Sequence, residues 1–219
     1  MIKVKICGIQ DESAALAAAD AGADAIGLIF APSRRQIDAT RARRISEALP
    51  PFVSRVGVVV NEPLDRLRQI IEEARLDAVQ LHGDEDPQYS AAVREFGVTV
   101  IKGVAVAGPL DLPRLRALRV AAVLLDTHRP GQRGGTGEIF DWSLAAPAAA
   151  VMHVILSGGL TPENVGDGVA AVRPYGVDVS SGVETAGKKD PARIRAFVAA
   201  ARASGASRFP CDPPESVRG

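Results

Sequence analysis

Short apolar runs, bounded by glycine or polar residues, recur along the chain. There are eight, and they begin at Ile2, Ala25, Arg55, Ala78, Thr99, Ala121, Val154 and Gly176. Their length and β-branched composition predict strands. Because the runs are apolar almost throughout instead of alternating, both faces of the sheet should be covered, as in parallel sheets.

The segments between these runs have helical periodicity or helix-forming composition, for example DESAALAAADAG and PLDRLRQIIEEAR. Successive runs start 21 to 33 residues apart, the length of one strand-loop-helix unit. Eight such units predict an α/β fold, a single-domain (β/α)8 TIM barrel over residues 1–203. A doubly wound open sheet is the alternative, and for a dinucleotide it would carry G-x-G-x-x-G where this chain reads CGIQDES. Residues 204–219, rich in Pro, Gly and Ser, should form an appended tail.

Composition and charge indicate which binding partners and which cellular environment to expect. Lys plus Arg and Asp plus Glu each number 26 in 219 residues, so nothing favours a nucleic acid or a membrane surface. No run approaches the ~18 apolar residues of a membrane span, and no leader pattern precedes the first strand, so we expect a cytoplasmic protein. With Cys7 and Cys211 at opposite ends and only three histidines, we expect no disulfide and no metal site.

In a barrel of this kind, chemistry lies at the C-terminal ends of the strands. Cys7 ends the first strand and Asp126 ends the sixth. Each has a simpler explanation: a free cysteine often packs as a small hydrophobic residue, and an aspartate can cap the loop that follows it. In a closed barrel, however, the two side chains would face each other across the mouth, as suits a proton donor and acceptor.

The loops after the seventh and eighth strands, SGGLTPENV and SSGVE, predict a phosphate site. Backbone N–H groups freed by glycine turns, with a helix starting at Thr161-Pro162 behind them, would bind the anion, although the glycines could merely close turns. The expected ligands are Gly158, Gly159, Ser180, Ser181 and Gly182. The nearby GVETAGKK resembles a P-loop, but Lys189 stands where that motif needs Ser or Thr, so we do not interpret it as a nucleotide site.

Taken in order, the motifs KICGI, AGADAIGLIF, QLHG, LLDT, GGTG, LSGGLTPENV and GVDVSSGVE resemble those of the phosphoribosylanthranilate isomerase family over nearly the whole chain. The resemblance implies an Amadori rearrangement of a small phosphorylated substrate in tryptophan biosynthesis, without cofactor, by a monomer or homodimer. It also implies that Cys7 is the general base and Asp126 the general acid.

The same resemblance assigns the anthranilate carboxylate to Arg35 and places His82 and Asp178 along the site. This chain reads SRR where the family has SPR, so Arg34 could share the role. In an extended segment the two arginines would point to opposite sides, so only one could face the mouth. The resemblance selects Arg35.

Both proton-transfer groups need shifted pKa values, because an ordinary cysteine is protonated and an ordinary aspartate ionised at neutral pH. We expect Lys5, a helix N-terminus or the phosphate site to lower the pKa of Cys7.

The GGTGE segment should form a lid that includes His128, while His153 should lie at the far end of the barrel.

Two other functions stay open at this point. The related isomerase of histidine biosynthesis performs the same rearrangement, but that family has Asp where this chain has Cys7. A non-catalytic barrel that binds a phosphorylated ligand would keep the two loops without needing the facing thiol and carboxylate.

Overall fold

The computed structural model of the protein describes residues 1–127 and 140–204. The predicted GGTGE lid, His128, Cys211 and the tail beyond Ser204 lie outside the described residues.

Eight parallel strands close into a barrel in chain order, and the last pairs with the first. They are β1 (Lys3–Cys7), β2 (Ala25–Ile29), β3 (Ser54–Val59), β4 (Ala78–Leu81), β5 (Thr99–Val106), β6 (Ala122–Thr127), β7 (Val154–Leu156) and β8 (Gly176–Val179). The predicted barrel is confirmed, and the pairing of β1 with β8 excludes the open sheet. Each strand begins within one residue of its predicted start.

Helices alternate with the strands around the outside. They are α1 (Glu12–Asp20), α2 (Ala39–Ala48), α3 (Leu64–Ala74), α4 (Pro87–Arg94), α5 (Leu112–Ala117), α6 (Ala146–Ala149), α7 (Val165–Val172) and α8 (Pro191–Ser204). The sixth is the shortest, and a 3₁₀ turn at Trp142–Leu144 precedes it.

Aspartates determine where four of these helices begin. The side chains of Asp11, Asp38, Asp86 and Asp111 each accept the backbone N–H three residues on. Each cap satisfies a helix N–H that has no partner within the helix and stabilises the fold by about 1 kcal/mol.

A two-stranded antiparallel hairpin follows the barrel, made of β9 (Glu184–Thr185) and β10 (Lys188–Lys189). It lies between β8 and α8, next to the C-terminal mouth. This hairpin was not predicted, because two residues per strand are too few to show a period in the sequence.

The apolar core has two parts. The larger one lies between the barrel and the helices. The smaller one fills part of the barrel itself and consists of Val56, Ala78, Ile101, Ala122, Leu124 and Ile155. Within the described residues, no helix has the length and apolar character to cross a membrane.

Candidate active site

The thiol of Cys7 lies at the C-terminal end of β1, buried against β2. Its backbone partner there is Gly27, and a Cβ on Gly27 would lie 2.6 Å from the Cys7 sulfur. The glycine therefore makes the space that the thiol occupies. Burial raises the pKa of Cys7 and outweighs the charges of Lys5 and Lys189, which lower it. The expected lowering of this pKa is wrong for the protein without substrate.

The carboxylate of Asp126 ends β6 at the same mouth. One oxygen, Oδ1, accepts the backbone N–H of Thr127 at 2.8 Å, and the other, Oδ2, lies 3.6 Å from Nε2 of His82. Gly158 packs behind it, since a Cβ there would lie 2.9 Å from Oδ1. Asp126 thus accepts the N–H of the next residue within β6, and Oδ2 faces the His82 imidazole; the loop that the simpler interpretation has it cap lies outside the described residues.

Beneath these two groups, three buried side chains form a layer that we call the polar floor: Lys5, Gln80 and Asp178. The Lys5 ammonium donates to Asp178 Oδ1 and to Gln80 Oε1, both at 2.9 Å. Because β1 and β4 are three strands apart, the bond from Lys5 to Gln80 crosses the barrel interior. Asp178 also accepts a longer bond, 3.4 Å, from Ser157.

His82 connects the polar floor to Asp126. Its Nδ1 lies 3.0 Å from Gln80 Nε2, and its ring packs on Gly103, where a Cβ would approach Nδ1 to 2.3 Å. The Lys102 ammonium donates to the carbonyls of Leu81 and Gly83 on either side of His82. Gln80 and Gly103 therefore fix the position of the His82 ring, and Lys102 fixes the backbone on both sides of it.

The two adjacent arginines bind the same carboxylate, that of Glu184 on β9. Arg35 donates from Nε at 2.7 Å and from Nη2 at 3.1 Å, and Arg34 donates from Nη2 at 2.5 Å. The expectation that they point to opposite sides is wrong, because they lie in a turn and not in an extended segment. Burial separates them instead: the side chain of Arg35 is 10% exposed and that of Arg34 is 55% exposed.

Glu184 is the centre of this cationic cluster. Burial by itself would raise its pKa, but hydrogen bonds from Arg35 and Lys189, together with their charges, lower the pKa to about 2. Lys189 also donates to the carbonyl of Ser180 at 2.8 Å. Lys189, which stands at the Ser/Thr position of the P-loop-like segment, is thus engaged within the protein. This agrees with our not interpreting the segment as a nucleotide site.

The loops after β7 and β8 lie side by side at the mouth. Gly158 and Gly159 have φ values of 83° and 66°, a left-handed conformation that glycine adopts without strain. Within the described residues, the N–H groups of Gly159 and Ser181 have no hydrogen-bond acceptor. A Cβ on Gly182 would lie 1.9 Å from the carbonyl oxygen of Leu160, so this glycine permits the close packing of the two loops.

Two details of the predicted phosphate site differ in the structure. The helix behind the first loop begins at Val165 and not at Thr161, because Asn164 folds back to accept the Thr161 N–H at 2.8 Å. The hydroxyl of Ser180 donates to the carbonyl of Cys7 at 3.1 Å, so it ties the loop after β8 to the end of β1.

Gln80, Glu184 and Gly27 were not among the predicted site residues. Gln80 carried a signal, because an amide inside an apolar run needs a buried partner. Glu184 carried no such signal, since its partners Arg34 and Arg35 lie about 150 residues away in the sequence.

Of the other histidines, His153 lies at the far end of the barrel as predicted, and its ring packs on Tyr175 with ring centroids 4.5 Å apart.

Comparisons with known proteins agree on one family. A family model described as N-(5'-phosphoribosyl)anthranilate (PRA) isomerase matches residues 4–200. A curated N-(5'-phosphoribosyl)anthranilate isomerase from Desulforudis audaxviator is 50% identical over 202 residues, which cover 92% of this chain and 98% of that protein. One from Syntrophomonas wolfei is 49% identical over 199 residues, covering 90% and 96%.

Solved structures give the same result. The phosphoribosyl anthranilate isomerase from Thermus thermophilus superposes with a TM-score of 0.84 at 43% identity, covering 92% of this chain and 99% of that one. A phosphoribosyl anthranilate isomerase in complex with reduced 1-(o-carboxyphenylamino)-1-deoxyribulose 5-phosphate superposes with a TM-score of 0.80 at 43% identity, covering 93% and 100%. Monomers generated from the dimeric enzyme of Thermotoga maritima superpose with a TM-score of 0.82 at 42% identity, covering 93% and 100%.

Proposed function

Because the chain belongs to the N-(5'-phosphoribosyl)anthranilate isomerase family, we propose that the C-terminal mouth of its barrel is the active site, with Asp126 as general acid and Cys7 as general base. The chain is an isomerase of tryptophan biosynthesis. The observation that carries the assignment of the two residues is their placement: both end strands at one mouth, and both are buried.

The rearrangement needs one proton delivered and one removed. Asp126 gives its proton to the ribose ring oxygen as the C1–O bond breaks and the nitrogen lone pair forms a C=N bond, which leaves a protonated imine between C1 and the anthranilate nitrogen. Cys7 then takes the C2 proton, the electrons of that C–H bond form the C1–C2 double bond, and the C=N electrons return to nitrogen, which gives a neutral enolamine. Proton transfer from the C2 hydroxyl to C1 completes the ketone.

Two groups at the mouth hold the ends of the substrate. The phosphate would lie against the backbone N–H groups of Gly159 and Ser181, in the position where barrels commonly bind phosphate. The anthranilate carboxylate would lie on Arg35, because its guanidinium is buried, packs on Gly8 next to the end of β1 and is already fixed by Glu184. His82 and Asp178 would line the site between them.

The acid and base are tested by replacing each functional group alone. Cys7→Ala and Asp126→Asn should each reduce kcat at least ~100-fold, the scale of a positioned proton-transfer group, with little change in the free energy of unfolding. Anthranilate fluorescence, with the substrate generated in the assay, measures turnover. Near-normal kcat in either variant would refute that residue's role.

The phosphate site is tested by competition. Inorganic phosphate or sulfate should raise the KM without changing kcat, because it would occupy the loops after β7 and β8. Replacing Gly182 by Val is not a clean test, since the new Cβ would collide with the Leu160 carbonyl and move both loops. Inhibition that lowers kcat at saturating substrate would place the anion elsewhere.

We further propose that the protein forms a homodimer through the N-terminal mouth of the barrel. Phe52 is 97% exposed there, at the rim of a cavity of about 420 Å³ that reaches into the barrel. An exposed phenyl ring at the rim of a cavity lined in part by apolar side chains, among them Val56 and Ile155, suits reciprocal insertion between two copies. The similar enzyme of Thermotoga maritima is described as dimeric.

A further inference from the structure

In the polar floor, the Lys5 ammonium determines which group donates and which accepts in each hydrogen bond that follows. An ammonium group only donates, so the atom of Gln80 that faces it must be the carbonyl oxygen Oε1. The amide nitrogen Nε2 therefore faces the other way, toward His82, and it can only donate. Gln80 is 2% exposed, so no reorientation toward solvent relieves this constraint.

The direction continues through His82. Because Gln80 Nε2 donates, Nδ1 of His82 must accept, at 3.0 Å, and can carry no proton. The proton of the neutral ring is then on Nε2, which lies 3.6 Å from Oδ2 of Asp126.

We propose that Gln80 is a positioning residue for the general acid: it holds His82 in the Nε2–H tautomer and so directs an N–H donor at Asp126. This proposal rests on the assignment of Asp126 as the acid. When Asp126 gives up its proton, the carboxylate that forms accepts the N–H of Thr127 on Oδ1, and the N–H of His82 Nε2 faces Oδ2 across 3.6 Å.

The opposite tautomer would work against the reaction. A bare Nε2 facing Oδ2 would accept the proton that Asp126 must deliver to the ribose oxygen. After proton transfer it would also place a lone pair against the new carboxylate. Gln80 thus excludes a competing acceptor, although it lies within β4, two residues before His82, and faces Lys5 on the opposite side of the barrel.

The tautomer is measured directly by nitrogen NMR of the His82 ring, which does not depend on activity. The wild-type protein should show a protonated Nε2 and an unprotonated Nδ1. In Gln80→Glu, the carboxylate oxygen next to His82 can only accept, so Nδ1 should become protonated. In Gln80→Met, which removes both polar contacts without adding charge, the fixed preference for Nε2–H should disappear.

Kinetics then link the tautomer to the acid. Gln80→Glu and Gln80→Met should each lower kcat about tenfold, with KM changed less than about twofold, because the substrate contacts are untouched. Gln69→Glu, the same chemical change on the exposed side of α3, is the control and should change neither quantity.

A protonated Nδ1 in the wild-type protein would overturn the proposal. Unchanged His82 signals in Gln80→Met, or normal kcat in a folded Gln80 variant with a changed tautomer, would overturn it too. An Asp126→Asn variant with normal turnover would refute the acid assignment on its own, while the NMR result for His82 would still stand.

Discussion

The protonation state of Cys7 sets a condition on its role as a base. A base acts in its deprotonated form, and burial raises the pKa of this thiol above its ordinary value despite the charges of Lys5 and Lys189. At neutral pH most of the free protein therefore carries a thiol, and the thiolate fraction grows as the pH increases toward the raised pKa.

We therefore expect kcat/KM to increase with pH from 7 to 9, because kcat/KM reports the ionisation of the free enzyme. Titration of thiolate absorbance in a Cys211→Ser background, which leaves Cys7 as the remaining thiol, should give a pKa above the ordinary value of about 8.5. A kcat/KM that is flat over this range, together with a thiolate already formed at pH 7, would contradict the raised pKa.

The two arginines differ in burial, and their substitutions should differ accordingly. Arg35→Lys should raise the KM about tenfold or more, because a single ammonium cannot bind Glu184 with two donors and present a fork to a planar carboxylate. Arg34→Lys, at the exposed neighbour, should change the KM less than about twofold. A larger loss in Arg34→Lys would move the carboxylate site to that residue.

At the scale of single elements, the sequence predicted the eight strands because each is determined locally. The apolar run of β6, for example, is visible within a few residues. The positions of Cys7 and Asp126 near the ends of β1 and β6 could be predicted in the same way, while their roles in the reaction stay predictions. What could not be predicted depends on contacts between distant elements, such as the joining of β9 to the turn that holds Arg34 and Arg35.

The β9–β10 hairpin should make the fold sensitive to acid. The pKa of Glu184 is about 2, below its ordinary value of 4.5. A lowered pKa contributes stability above pH 4.5, and this contribution decreases as the pH falls toward 2. Between pH 6 and pH 3 the wild-type protein should lose about 2 kcal/mol more unfolding free energy than Glu184→Gln.

Urea unfolding at the two pH values measures this difference, and Glu72→Gln on the exposed face of α3 is the control. The control should lose as much stability as the wild type. Equal losses in wild type and Glu184→Gln would show that the carboxylate is not held by the cationic cluster.

At the scale of the whole molecule, the two mouths of the barrel carry different kinds of side chain. The C-terminal mouth carries the buried ionisable groups, whereas the N-terminal mouth carries the exposed Phe52 and the stacked pair of His153 and Tyr175. A change at one mouth should therefore leave the chemistry at the other intact.

Phe52→Asp tests this separation together with the proposed dimer. The charge would oppose burial of the side chain between two copies, so the variant should sediment as a monomer where the wild type sediments as a dimer. Its kcat should stay within about twofold of wild type, because the substitution is at the opposite mouth. A monomeric wild type in analytical ultracentrifugation would refute the dimer.

The spaces left by glycine beside the functional groups have a consequence for mutational tolerance. Gly27 lies against Cys7, Gly103 against His82 and Gly158 against Asp126, and a Cβ would come within 3 Å of a side-chain atom in each case. Every possible replacement adds that Cβ, including alanine, the change usually counted as mild. In a saturation mutagenesis screen selected for growth without tryptophan, these three codons should therefore be as intolerant as those of the acid and the base, even though they encode no functional group.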